Sequence, residues 1–244
     1  PTATGEYGNL FVLNKTIFNL TTANTAIGSI SGLGLTINPG GNYRFGLVAN
    51  GKLNIDNDSS IGTIANPYNL DNPMDSTNKV SVVSSEIEVT SGTYVKGTQA
   101  GQILAKMANP DNTSAGQSKI AITNNGNIDM SGLNSISFYS RYGIITNNNI
   151  INSSNGAISI YGTNNTKINN AGTINLGDSS IGLAAKAKGT STIASNDLID
   201  ITNSGSIISN GATAPIGIYA LNDSSAVRTD ANVINSNIID LRNS

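Results

Sequence analysis

The sequence predicts an all-β chain wound into a right-handed parallel β-helix, a solenoid of about 22 residues per coil with loops protruding from the rod. Three observations predict it. Of 244 residues, 37 are Asn and 26 are Gly. Apolar residues come in short runs that alternate with polar ones. The same short phrases return along the chain at spacings of 23 or 33 residues.

Asn side chains compete for backbone hydrogen bonds, so Asn favours turns over helix interiors. A chain this rich in Asn and Gly folds as strands joined by many turns. The remaining composition excludes whole classes of function. With 13 Lys+Arg against 15 Asp+Glu, the net charge is −2, which lacks the basic footprint that nucleic acid or an anionic membrane requires. Neither His nor Cys occurs. That removes Ser-His-Asp triads, zinc fingers, iron–sulfur clusters and disulfide frameworks, and no cofactor is expected. No apolar run approaches the roughly 18 residues of a membrane-spanning helix. The opening Pro1-Thr-Ala-Thr-Gly-Glu-Tyr7 has no Met and no apolar signal core, so a mature product or an excised piece is expected.

The repeat has two elements. The first reads Ile122-Thr-Asn-Asn-Gly-Asn-Ile128, then Ile145-Thr-Asn-Asn-Asn-Ile150, Ile168-Asn-Asn-Ala-Gly-Thr-Ile174, Ile201-Thr-Asn-Ser-Gly-Ser-Ile207 and a shortened Ile234-Asn-Ser-Asn-Ile238. The second follows seven to nine residues later as Ile136-Ser-Phe138-Tyr139, Ile158-Ser-Ile160-Tyr161, Ile181-Gly-Leu183-Ala184 and Ile216-Gly-Ile218-Tyr219. Each alternates with period two, as a strand with one buried face does. Asn-Gly, Ser-Gly and Asn-Ser between them supply tight turns. A strand this short buries its apolar face only by stacking on its copies, about 4.8 Å apart. Asn147, Asn169 or Asn170, and Asn203 then fall over one another, where side-chain amides hydrogen-bond along the axis. A worn copy begins Asn50-Gly-Lys-Leu53-Asn-Ile55, and Asp58-Ser-Ser-Ile61-Gly62 matches Asp178-Ser-Ser-Ile181-Gly182. Phe45-Gly-Leu47-Val48 resembles the second element, so residues 1–49 are expected to continue the rod and 1–244 to form one domain. Surplus residues mark loop insertions near 66–79, 97–118 and 186–196, with one or two helical turns expected over Gln102-Ile-Leu-Ala-Lys-Met107. Such loops often carry binding.

Candidate chemistry is thin. Gly177-Asp178-Ser179-Ser180 has the look of a serine-protease nucleophile, yet no His is present to act as base. Asp56-Asn-Asp58-Ser-Ser60 starts like a calcium loop but has Ile61 and Pro67 where that loop needs Gly and an acid. A turn is the plainer reading, and no metal site is assigned. Asp178, Asp197, Asp200, Asp223 and Asp230 fall about one per coil, unlike the clustered carboxylates of a polysaccharide-cleaving β-helix. The surface feature that stands out is aromatic. Placing Ile136 and Phe138, Ile158 and Ile160, and Ile216 and Ile218 inward turns Tyr139, Tyr161 and Tyr219 outward on one face, with Ala184 between. Arg141 and Tyr142 lie near the same corner. These residues are the candidate ligand-contact surface, by stacking on sugars or docking a protein loop; the alternative is that the rings only stack on one another.

The Ile-x-Asn-x-Gly-x-Ile element followed by Ile216-Gly-Ile-Tyr-Ala220 resembles the passenger region of monomeric (type V) autotransporter adhesins, similar to the large fusobacterial outer-membrane adhesins of the RadD kind. The resemblance is clearest over residues 119–244 and fainter over 43–96. It implies a secreted, surface-exposed β-helical stalk held by a C-terminal outer-membrane barrel that is not within this sequence. It also implies attachment to host cells or other bacteria, with a surface glycan or protein receptor as partner. The expectation is therefore a monomeric, non-enzymatic adhesin segment acting at the cell surface. A polysaccharide-degrading enzyme on the same scaffold and a passive spacer are the alternatives.

Overall fold

A computed structural model describes the backbone over residues 9–14, 18–20, 25–26, 29–30, 35–36, 45–55, 59–61, 79–97, 100–107, 121–141, 143–163, 165–187, 198–222 and 230–242, with side chains from residue 86 onward except at Leu198, Asn222 and Asp230. The first coils contribute β1 (Asn9–Asn14), β2 (Phe18–Leu20), β3 (Thr25–Ala26), β4 (Ser29–Ile30), β5 (Leu35–Thr36), β6 (Phe45–Ile55), β7 (Ser59–Ile61), β8 (Lys79–Val89) and β9 (Tyr94–Gly97). The later coils each supply three short strands. They are β10 (Gln102–Met107), β11 (Ala121–Asn124) and β12 (Asn127–Met130); β13 (Ile136–Ser140), β14 (Gly143–Asn147) and β15 (Ile150–Asn152); β16 (Ile158–Thr163), β17 (Thr166–Asn170) and β18 (Thr173–Leu176). Then come β19 (Ile181–Ala187), β20 (Leu198–Asn203) and β21 (Ser206–Ser209), and finally β22 (Ile216–Asn222), β23 (Asp230–Asn235) and β24 (Ile239–Asp240).

These strands stack in parallel as a β-helix. One sheet runs β10-β13-β16-β19-β22, a second β11-β14-β17-β20-β23, and a third β9-β12-β15-β18-β21-β24. The first two join through β8, whose first half pairs with β10 and whose second half pairs with β11. Over β6 and β8 one long strand therefore does what two shorter ones do further along. The exception to parallel pairing among the described strands is a two-residue antiparallel contact between β4 and β5.

Each sheet sends a column of aliphatic side chains inward. Ile87, Ile122, Ile145, Ile168 and Ile201 follow one another in register, as do Val95, Ile128, Ile151, Ile174 and Ile207. All ten are fully buried. Ala105, Phe138, Ile160 and Leu183 form the third wall. Burying each such aliphatic side chain contributes roughly 1.5–3 kcal/mol, which a lone strand of four residues could never collect.

The register corrects several expectations. Gln102–Met107 is not helical: good helix formers are overridden by β8 and β13, which offer unpaired edges on both sides. The sheet-three columns run through Ile151 and Ile239, not Ile150 and Ile238, and Val233 rather than Ile234 follows Ile201. Asp58-Ser-Ser-Ile61 is not equivalent to Asp178-Ser-Ser-Ile181, because Ser59–Ile61 pairs with Val95–Gly97 in the third sheet while Ile181 pairs with Ile158 in the first. The expected inward placement of Ile136, Ile158 and Ile216 also fails. Ser137 and Phe138 are both buried, as are Ser159 and Ile160, so two consecutive residues face inward. That bend leaves Ile136, Ile158 and Ile181 partly exposed and Ile216 41 % exposed. The expected insertion at 66–79 and most of those at 97–118 and 186–196 lie outside the described residues.

Candidate functional site

The tyrosines do share one column. On the first sheet Lys106, Tyr139, Tyr161, Ala184 and Tyr219 are consecutive in register. The Ser137–Phe138 bend puts Phe138 in the core and leaves Tyr139 as the next outward residue, and Ser159–Ile160 does the same for Tyr161. The Tyr139 and Tyr161 rings lie 5.4 Å apart between centroids and are tilted by 42°, a geometry that aromatic quadrupoles favour over a flat sandwich. The Tyr139 hydroxyl is 3.3 Å from Thr163 Oγ1. Lys106 Nζ sits 5.5 Å from the Tyr139 centroid, and Lys106 is itself buried. Ala184 is buried beneath its neighbours, whereas Tyr219 is 41 % exposed. Arg141 follows β13 directly and is partly exposed; Tyr142 lies outside the described residues. Lys106 was missed by sequence reasoning because it falls in the segment read as helical.

The other outer faces are polar and largely self-paired. On the third sheet the Tyr94 hydroxyl donates to Asp129 Oδ2 at 2.7 Å, and Lys96 Nζ lies 5.3 Å from the Tyr94 centroid. That hydrogen bond, reinforced by burial and the carboxylate charge, raises the Tyr94 phenol above its usual pKa. Asn175 Nδ2 donates to Asn152 Oδ1 at 2.7 Å further along the column of Lys96 and Asp129. On the second sheet Lys167 Nζ meets Asp200 Oδ2 at 3.3 Å, and Asn232 Nδ2 donates to Asp200 Oδ1 at 3.2 Å.

The corner at Gly177–Ser180 is scaffold. Asp178 accepts from Asn155 Nδ2 at 3.1 Å and from the Thr213 backbone N–H at 2.7 Å, tying three coils together. Ser179 takes the left-handed conformation at φ 52°, and Ser180 Oγ donates to the Gly177 carbonyl at 2.6 Å. Of the five expected acids, Asp197 and Asp223 lie outside the described residues. Glu86 and Glu88 share the outward face of β8, two residues and about 7 Å apart along the strand. Glu88 Oε1 accepts from Asn125 Nδ2 at 3.2 Å. Among the described residues no three His, Cys, Asp or Glu side chains group as a metal site requires, and no helix is long and apolar enough to cross a membrane. The Asp56–Asp58 segment lies outside the described residues.

Inside the rod, sequence reasoning found the repeat but not its chemistry in full. Asn124, Asn147, Asn170, Asn203 and Asn235 form one amide ladder in which each Nδ2 donates to the Oδ1 of the next rung, at 2.7, 2.7, 2.7 and 2.6 Å. Asn170, not Asn169, is the ladder residue; Asn169 pairs in the adjacent outward register. No family model, curated protein or solved structure matches this chain.

Proposed function

We propose that this chain is a rod-forming segment of a non-enzymatic bacterial cell-surface adhesin. One observation carries the reading: a parallel solenoid repeats Tyr139, Tyr161 and Tyr219 in a single outward column while its polar faces are mostly satisfied by their own hydrogen bonds. Three continuous parallel sheets make a stiff support, and identical contacts along it sum by avidity. The resemblance to autotransporter passengers supplies the setting. It suggests a monomeric stalk at the outer surface, held through a barrel elsewhere in the protein and meeting a glycan or protein receptor on host cells or other bacteria.

The test is direct. Beads coated with the chain should adhere to host or bacterial cells, and soluble chain should compete. A chain that neither adheres nor competes is a spacer. The enzymatic alternative has one observation in its favour, the Glu86–Glu88 pair. Cleavage of any acidic or neutral polysaccharide in a panel, lost in Glu88→Gln, would decide for it.

A further inference from the structure

We infer that Asn210-Gly211, in the corner between β21 and β22, is a site of spontaneous covalent modification whose co-reactant is water. The inference goes beyond the adhesin reading and does not depend on it. The Gly211 backbone nitrogen attacks Asn210 Cγ and gives up its proton. The new N–Cγ bond closes a five-membered imide, and the side-chain Nδ2 leaves with that proton as ammonia. Water then opens the ring at one of its two carbonyl carbons. Breaking the nitrogen's bond to Cγ gives Asp, and breaking its bond to the backbone carbonyl carbon gives isoaspartate. An amide and a water become a carboxylate and an ammonium ion, with no change in oxidation state and no catalyst.

Glycine following asparagine favours this reaction, because no Cβ shields the attacking nitrogen and the backbone bends freely. The sequence offers four such pairs, Asn50-Gly51, Asn125-Gly126, Asn155-Gly156 and Asn210-Gly211. Asn50-Gly51 lies within β6, its side chain outside the described residues. Two of the others are locked. Asn125 donates to Glu88 Oε1 at 3.2 Å and accepts from Asn148 Nδ2 at 2.8 Å, while buried Gly126 donates its N–H to Asn124 Oδ1. Asn155 is exposed, yet its amide donates to Asp178 Oδ2 at 3.1 Å and accepts from the Asp178 N–H at 2.9 Å. The Gly156 N–H is held by the Asp178 carbonyl at 2.7 Å. Neither amide can swing onto the nitrogen that follows it without breaking these bonds.

Asn210-Gly211 has no such restraint. Both residues are exposed, and among the described residues neither the Asn210 side chain nor the Gly211 N–H has a hydrogen-bond partner. Gly211 sits in the left-handed region at φ 76°, and a Cβ built on it would meet nothing within 4 Å, so the ring closes into open space. The rest of the corner is anchored separately. The Thr213 N–H donates to Asp178 Oδ1 at 2.7 Å, and the Ile216 N–H to the Ser180 carbonyl at 2.8 Å. The reaction therefore needs no strand to unpair. It adds one negative charge to the corner, and isoaspartate also adds one backbone carbon.

The experiment ages the full chain at about pH 8, both folded and in urea, and follows the one-dalton gain at each Asn by peptide mapping. Isoaspartate is counted by methyl transfer from S-adenosylmethionine with an isoaspartyl methyltransferase. In urea, Asn125, Asn155 and Asn210 should react within threefold of one another. Folding should slow Asn125 and Asn155 at least tenfold and Asn210 less than threefold. The Asn210 rate should rise several-fold from pH 7 to pH 9, because the attacking nitrogen must lose its proton. In isoelectric focusing the main acidic band of the aged chain should comigrate with Asn210→Asp and disappear in Asn210→Ser, both variants keeping native circular dichroism. A folded chain in which Asn210 reacts no faster than Asn155 overturns the inference. So does an acidic band that persists undiminished in Asn210→Ser.

Discussion

One column of the rod changes its chemistry partway along. Leu20, Ile55 and Val89 occupy the same register on successive rungs, and Asn124, Asn147, Asn170, Asn203 and Asn235 continue it. Val89 and Asn124 are both fully buried. The backbone and burial are alike, yet one stretch is aliphatic and the other is amide. The difference teaches that a solenoid column must be consistent with itself rather than apolar. An Asn amide has two N–H groups, and Asn147 sends one to Asn170 Oδ1 and the other to the Asn149 carbonyl at 2.8 Å. Asn170 does the same with Asn203 and the Gly172 carbonyl. Because every bond points the same way, the group left over at the aliphatic boundary is the Asn124 oxygen, and the Gly126 backbone N–H takes it at 3.3 Å. The boundary is capped by the turn itself.

The strongest test of that comparison is to put an aliphatic rung inside the amide stretch. Asn147→Val has nearly the right shape, as Val89 shows for the same register. It strips the acceptor from Asn124 Nδ2 and the donor from Asn170 Oδ1, leaving two buried polar groups unpaired. Each costs about 1–3 kcal/mol, so a loss of about 3–5 kcal/mol is expected in chemical denaturation of the full chain. A loss below about 1 kcal/mol would mean that the ladder is decorative. Asn124→Val moves the boundary by one rung, leaving Asn147 Oδ1 without its donor and the Gly126 N–H without its acceptor. About 2–4 kcal/mol is expected there, less than for Asn147→Val because the Gly126 bond is the longer one at 3.3 Å. A loss larger than that of Asn147→Val would refute the directional account.

How far the sequence was legible follows from the same idea. The resemblance of Phe45-Gly-Leu47-Val48 to the second repeat element agrees with the register, which aligns Leu47 with Ala105 and Phe138 through Val82. The tyrosine column was readable because one rung-to-rung spacing carries the whole strand. The bend was not read, since strict alternation puts Ile136 and Phe138 on one side. The available cue was the run of small residues Ser137, Ser159, Gly182 and Gly217, each the first of the two consecutive residues that the bend turns inward. A Cβ at Gly182 would press on Ile207 Cγ2 at 3.1 Å, and one at Gly217 on Ile239 Cγ2 at 2.7 Å. Doubled letters such as Ile150-Ile151 and Ile238-Ile239 hide register by one residue, and in a strand one residue exchanges the faces. Val233, 45 % exposed, and Ile238, 57 % exposed, show the same ambiguity at the last rung.

At that last rung the ladder ends in the open, and a smaller effect follows. Asn235 Nδ2 donates to the Asn237 carbonyl at 2.7 Å, and Asn235 is exposed. Asn235→Val takes the acceptor from one buried donor, Asn203 Nδ2, and exposes the rest of the change to water, so a loss of about 1 kcal/mol, below both interior changes, is expected. A loss matching Asn147→Val would show that the end rung organises the whole ladder.

Smallest of all is a charge effect that the amides cannot have. Arg242 donates to Asp240 through its side chain and its backbone N–H, at 2.8 and 3.1 Å among others, and this holds the Asp240 carboxyl down to about 2 from 3.8. A lowered folded pKa contributes stability above the unfolded value and loses it as pH falls through the folded one. The Tm gap between wild type and Asp240→Asn should therefore be present at pH 5 and close as the pH drops from about 4 to about 2. The open position of the pair, with the Arg242 side chain 85 % exposed, makes the gap small and salt-sensitive. The Asn147→Val gap has no titrating partner in the ladder and should hold its size over the same range. If both gaps closed together, the amide column would be coupled to the surface pair, and the contrast between buried ladder and exposed end would fail.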